Sequence, residues 1–166
     1  MFLLRLLAAA ALSVLVSCSS PPKSSGTGYR GPQPAMVNND VIAPANVPSA
    51  VKRAIHAANQ INSLPYQFGG GHGSTCYGLD CSGSVSHVLR NAGIISGSMP
   101  STGFMKYGHS GPGKYITIYS RDGHVFMTIC GLRFDTTSGG SGHVGPRWME
   151  KPRSTKGFRL RHPPGL

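Results

Sequence analysis

The chain predicts an α+β domain in which helices pack on a small antiparallel sheet. Two segments carry apolar residues at the spacing of one helical face. One holds Val51, Ala54, Ile55, Ala58 and Ile61; the other holds Val85, Val88, Leu89 and Ala92. Strand-like runs then follow at residues 115–119, 124–129 and 132–137, with residues 158–161 adding a further strand. Helices first and strands afterwards is the α+β order.

The elements are justified in turn along 166 residues. Residues 1–17 read as an export signal: Arg5 precedes an apolar run from Leu6 to Val16 that is too short to span a bilayer. The run ends at Leu15-Val16-Ser17-Cys18, which resembles the lipobox of bacterial lipoproteins. That resemblance implies acylation of Cys18 and cleavage just before it, so that the chain is anchored to a membrane facing the periplasm or cell wall. The competing reading is ordinary secretion, with Cys18 inside a discarded peptide. Residues 18–46 are rich in Ser, Pro, Gly and Asn without apolar periodicity, as expected of a flexible tether.

The folded domain is expected over residues 47–166. Its first helix covers about residues 47–63, with Pro48 early in it and Pro65 ending it. A glycine-rich loop follows at residues 65–73, then a helix over residues 81–91 that Gly93 stops. Residues 96–113 read as an irregular connection of the kind that walls a substrate groove. The strands at 124–129 and 132–137 form a hairpin turning at Cys130-Gly131, and residues 138–145 are a second glycine-rich loop.

Composition narrows the function. The formal charge is +11, and loss of Arg5 with the signal leaves 15 basic residues against 5 acidic ones, or +10. For an exported chain the available polyanions are wall polymers, lipid headgroups and lipopolysaccharide, so the scattered charge reads as a general attraction to an anionic surface and not as a nucleic-acid site. The only carboxylates are Asp40, Asp80, Asp122, Asp135 and Glu150, a poor supply for a glycosidase built on paired acids.

The chemistry centres on Leu79-Asp80-Cys81-Ser82-Gly83-Ser84. A cysteine at the head of a helix meets the positive end of its dipole and unpaired backbone N–H groups, an arrangement that favours a nucleophilic thiolate. Such a nucleophile needs a base, and the base needs an orienter. His124 opens the first strand of the hairpin. If Cys130-Gly131 is a two-residue turn, position 124 lies opposite 137 and 126 opposite 135, which sets Asp135 diagonal to His124 on one face. A shift of one residue would turn Asp135 to the other face, where pairing with Arg133 or Arg147 is the plain alternative.

The pattern Pro65-Tyr66-x-Phe68-Gly69-Gly70, then Asp80-Cys81-Ser82-Gly83, then Gly123-His124-Val125, resembles the NlpC-type cysteine peptidases of bacterial cell walls. The resemblance spans about residues 50–137. It implies a papain-like α+β fold and hydrolysis of a peptidoglycan stem peptide, commonly after γ-D-glutamate. It further implies Cys81 as nucleophile, His124 as base, Tyr66 as an aid to the oxyanion site and Asp135 as the third polar residue. No cofactor or metal is implied. This chain departs from the pattern at three places: relatives often carry His at the third position, residues 71–77 add a loop before Cys81, and residues 138–166 extend past the match.

Other readings compete. Cys81 alone would be taken for a core thiol, and His124 for a hydrogen-bonded sheet residue. An oxidising compartment permits a Cys76–Cys130 disulfide, whereas a Cys76–Cys81 bridge would mask the nucleophile. His72, Cys76, Cys81 and His124 match no familiar zinc spacing. His143, in its glycine-rich loop, is a backup third residue. The functional rivals are an N-acetylmuramoyl amidase or acyl transferase with the same triad, a non-catalytic basic wall-binding lipoprotein, and an interbacterial toxin.

Overall fold

The computed structural model describes residues 28–73, 77–138 and 142–166. The expected signal, Cys18, the first part of the tether and Cys76 lie outside the described residues. The architecture is mixed α+β: a six-stranded antiparallel sheet with helices against it.

Before the first helix, β1 (Ala35–Val37) and β2 (Asp40–Ile42) form a hairpin. This corrects the expectation of a flexible tether through residue 46. Asn38 and Asn39 turn the chain at φ 51° and 71°, a left-handed pair that Asn tolerates and that suits a two-residue hairpin. Val41 is buried, and its backbone N–H and carbonyl both bond the side-chain amide of Asn59 at 3.1 and 2.9 Å. The hairpin is thereby fastened to the helix that follows.

That helix, α1 (Ser49–Ile61), is shorter by two residues at each end than the expected span, with Pro48 as its N-cap residue. All five of its predicted apolar positions are buried, joined by Ala57. Helix α2 (Cys81–Asn91) starts and ends as expected, and Asp80 caps it by accepting the Gly83 N–H at 2.6 Å. Ile55 and Val51 of α1, Val88 and Leu89 of α2, and the inward residues of the sheet close one core. The connection at 96–113 contains a helical turn, α3 (Ser101–Phe104), which seats the fully buried Phe104, and a short strand, β3 (His109–Ser110).

The remaining strands are β4 (Ile116–Arg121), β5 (His124–Ile129), β6 (Leu132–Thr137), β7 (His143–Met149) and β8 (Arg159–His162), and the sheet runs β3-β8-β4-β5-β6-β7. Strand β7 overturns the reading of 138–145 as a loop throughout. Gly145 and Pro146 disguise it, yet β7 is an edge strand, where a residue without an N–H is tolerated. Gly145, at φ 77°, is also needed as glycine because the Leu64 carbonyl rests where a Cβ would sit.

Candidate active site

The two-residue turn at Cys130-Gly131 is present, with φ of 50° and 80°. It pairs Ile129 with Leu132, Thr128 with Arg133 and Met127 with Phe134, and the same register carried one step further sets Phe126 opposite Asp135. The Asp135 carboxylate accepts a hydrogen bond at 3.0 Å from His124 Nε2, both side chains being buried. On its other flank His124 faces Cys81, whose side chain helps to raise the imidazole pKa. With Nε2 committed to Asp135, Nδ1 is the ring nitrogen left for the thiol. Three elements thus converge: the head of α2, the start of β5 and the middle of β6.

Asp135 is held by more than its histidine. Its Oδ1 also accepts the N–H of Thr136 at 2.8 Å and of Thr137 at 3.2 Å. A side chain that takes two successive backbone donors competes with the ladder. The β6–β7 pairing is irregular just here, between Asp135 and Thr137. Arg153, in the segment between β7 and β8, donates to Asp135 Oδ2 at 2.7 Å. Arg133 Nη1 stands farther off, at 3.7 Å from Oδ2, while Arg147 turns to the carbonyls of Val144 and Gly145. Sequence reasoning missed Arg153 altogether: an arginine in a Lys-, Pro- and Ser-containing run carries no periodic signal.

Electrostatics follow from these contacts. Burial alone would push the Asp135 carboxyl up, but the hydrogen bonds and charges of His124 and Arg153 hold it below the usual carboxylate range. Burial likewise opposes a charged His124, yet its hydrogen bond to Asp135, the Cys81 side chain and the charges of both lift its pKa above the ordinary imidazole value.

The glycine-rich loop brings a fourth group. Tyr66 forms an isolated parallel bridge with Leu79, two residues before Cys81. Burial, followed by the nearby charges of Cys81 and Asp80, raises the Tyr66 phenol, which places it beside both. His143 stacks on Tyr66, with ring centroids 4.0 Å apart and planes 11° from parallel. The expected backup third residue therefore faces Tyr66, not His124. Asp80 is fully engaged in local structure: it accepts from Gly69 N–H and Ser82 Oγ, each at 3.0 Å, and His72 Nε2 lies 3.0 Å from the same hydroxyl. His72 stands at this loop rather than among metal ligands. Among the described residues no group of three or more His, Cys, Asp or Glu side chains is placed to hold a metal ion.

Gly83 explains how loop and helix close on each other. A Cβ there would overlap the Gly70 carbonyl oxygen and lie 2.9 Å from Gly70 C and 3.0 Å from Gly71 Cα. The loop backbone therefore rests on the first turn of α2. Asp80 N–H donates to the Gly70 carbonyl at 3.3 Å, and Ser98 Oγ donates to Gly71 O at 3.0 Å. The 96–113 connection is thus tied to the loop beside Cys81.

No family model matches this chain, and no curated protein matches it.

Cys130, the other described cysteine, is a free and fully buried thiol at the β5–β6 turn. Its expected disulfide partner, Cys76, lies outside the described residues. Burial raises the Cys130 thiol, and a hydrogen bond with Tyr29 works against that rise. The Tyr29 ring lies over Gly131, where a Cβ would stand 3.0 Å from it, so the segment entering the domain packs on the turn that sets the His124–Asp135 register.

Proposed function

We propose that this protein is a cell-wall cysteine peptidase that hydrolyses an amide bond in peptidoglycan stem peptides through a thioester on Cys81. One observation carries the proposal: the imidazole of His124 sits between the Cys81 thiol and the Asp135 carboxylate. A thiol, an imidazole and a buried carboxylate in that order are the parts of a nucleophile, its base and the base's orienter.

The chemistry runs in two halves. His124 takes the Cys81 proton, and the sulfur attacks the amide carbonyl carbon. The resulting oxyanion lies at the head of α2, where first-turn N–H groups lack partners within the helix. The Cys81 N–H and the Tyr66 hydroxyl are its donors; losing one such donor costs about 2.7–4 kcal/mol. The imidazolium, held by Asp135, then protonates the departing amine and the C–N bond breaks. Water, deprotonated by His124, attacks the thioester, releases the acid and returns the proton to sulfur. Every proton passes through one ring.

The resemblance of the Tyr66, Cys81 and His124 motifs to NlpC-type peptidases supplies the substrate class, and the α+β arrangement of a cysteine-bearing helix on an antiparallel sheet is compatible with it. Export and acylation at Cys18, read from residues 1–18, would bring the domain to the wall. The formal charge of +10 that remains after loss of Arg5 suits an anionic polymer. Purified peptidoglycan incubated with the protein should yield shortened stem peptides by mass spectrometry, and Cys81→Ala should yield none. Fragments separated at the sugar–peptide junction would instead identify an amidase. Equal product from both proteins would remove Cys81 from the chemistry.

A further inference from the structure

The strap between β7 and β8 does more than join two strands. Arg153 Nη1 donates to Asp135 Oδ2 at 2.7 Å and to Thr137 Oγ1 at 2.6 Å, and stands 3.1 Å from His124 Nε2. Its guanidinium lies 5.0 Å from the Phe126 ring centre and 5.4 Å from that of Phe158, the strap's last residue. Phe158 in turn meets the His124 ring edge-on, with centroids 6.2 Å apart. A single nitrogen therefore touches both partners of the His–carboxylate pair in a site from which water is largely excluded.

These contacts compete. When Nε2–H donates to Asp135, that nitrogen has no lone pair for Arg153, and the two groups meet as cation against ring. When the ring is protonated, a guanidinium 3.1 Å away repels it and draws on the same carboxylate. The remaining charged or titratable groups around His124 are Cys81 on α2, Asp135 on β6 and Arg121, its cross-strand partner on β4. The Arg121 guanidinium is stacked on Phe158 at 4.7 Å. Arg133 lies behind Asp135 at 3.7 Å. Of the arginines, Arg153 alone bonds the carboxylate and abuts the imidazole.

We propose that Arg153 is a positioning residue: by sharing the Asp135 carboxylate with His124 and facing its ring, it limits how strongly the imidazolium is held and so sets the proton affinity of the base. The inference rests on the proposed Cys–His chemistry for its functional meaning, but its physical content is a property of His124 itself. An imidazolium held too tightly by a buried carboxylate would protonate a leaving amine poorly and would be slow to return the proton to sulfur. A cation set against both the carboxylate and the ring keeps the base near its working range.

The test is an NMR titration of His124 in the full chain, wild type against Arg153→Gln, Arg153→Met and Arg153→Lys. Methionine keeps apolar contact with Phe126 and Phe158, so it serves if the glutamine variant does not fold. Either neutral variant should raise the His124 pKa by about one unit, a tenfold gain in proton affinity, whereas Lys, which restores the charge, should return it close to wild type. The pH profile of Cys81 alkylation by iodoacetamide should move its alkaline limb the same way. An unchanged or lowered His124 pKa in a folded neutral variant, or an equal shift with Lys, would overturn the proposal. Failure of peptidoglycan hydrolysis by the wild type would instead sink the functional reading, and would leave the titration result standing.

Discussion

Replacing Gly83 with Ala tests how the helix that carries Cys81 is held. In an ordinary helix interior the change stabilises by about 1 kcal/mol, since glycine is the poorer helix former. Here the added methyl would enter the Gly70 carbonyl oxygen and crowd Gly70 C and Gly71 Cα at 2.9 and 3.0 Å. These are backbone atoms with no rotamer to yield. Overpacking of this kind costs about 1–3 kcal/mol, and displacing Gly70 also strains the Asp80 N–H bond, worth about 1 kcal/mol. The balance is a net loss of about 2 kcal/mol, with the sign opposite to propensity. Urea unfolding of Gly83→Ala should show a lowered midpoint at unchanged slope. Gly97→Ala is the control, because a Cβ there meets nothing within 4 Å, and it should fall within about 0.5 kcal/mol of wild type. Since the displaced loop carries Tyr66, peptidoglycan turnover should fall more than stability alone explains. A Gly83→Ala protein as stable as its parent would refute the close packing of loop on helix.

The buried His124–Asp135 pair makes stability depend on pH. His124 has a folded pKa raised above its unfolded value of about 6.5, so its contribution is complete below that pH and is lost as pH rises through the folded pKa. His87 works in the opposite direction: burial and then the Arg90 charge lower it, so acidification below about pH 6.5 costs stability there. The difference in unfolding free energy between wild type and His124→Gln, followed from pH 5 to 9, isolates the first effect and should shrink as pH rises; a flat difference would contradict it. His143→Ala removes the ring stacked on Tyr66, a contact worth about 0.5–1.5 kcal/mol. Turnover should drop roughly two- to tenfold, and His143→Phe should recover most of it; steady-state kinetics on a stem-peptide substrate decide this.

Much of the site was legible because its geometry is local. The Cys130-Gly131 turn fixes the hairpin register within a few residues, and register alone brings Asp135 within reach of His124. The spacing of Val85, Val88, Leu89 and Ala92 marks the side of α2 that joins the apolar core, although Ser82, Ser84 and Ser86 are buried as well. Other features were hidden for identifiable reasons. Strand β7 contains Gly145 and Pro146, which read as breakers until its place at the sheet edge is known. The 35–42 hairpin is too short to show a period, and its Asn38-Asn39 turn was the signal passed over. Arg153 and Phe158 reach the site by a fold-back of the strap that no local pattern encodes.

The residue string by itself determined the two amphipathic helices and the central hairpin, because each depends on contacts a few positions apart. Tertiary structure alone decided that Arg153 closes on Asp135, that His143 lies on Tyr66 and that Gly83 must admit the Gly70 carbonyl. Those contacts join segments whose separation along the chain bears no relation to their separation in space, and they form only once the shared core has fixed where each backbone runs.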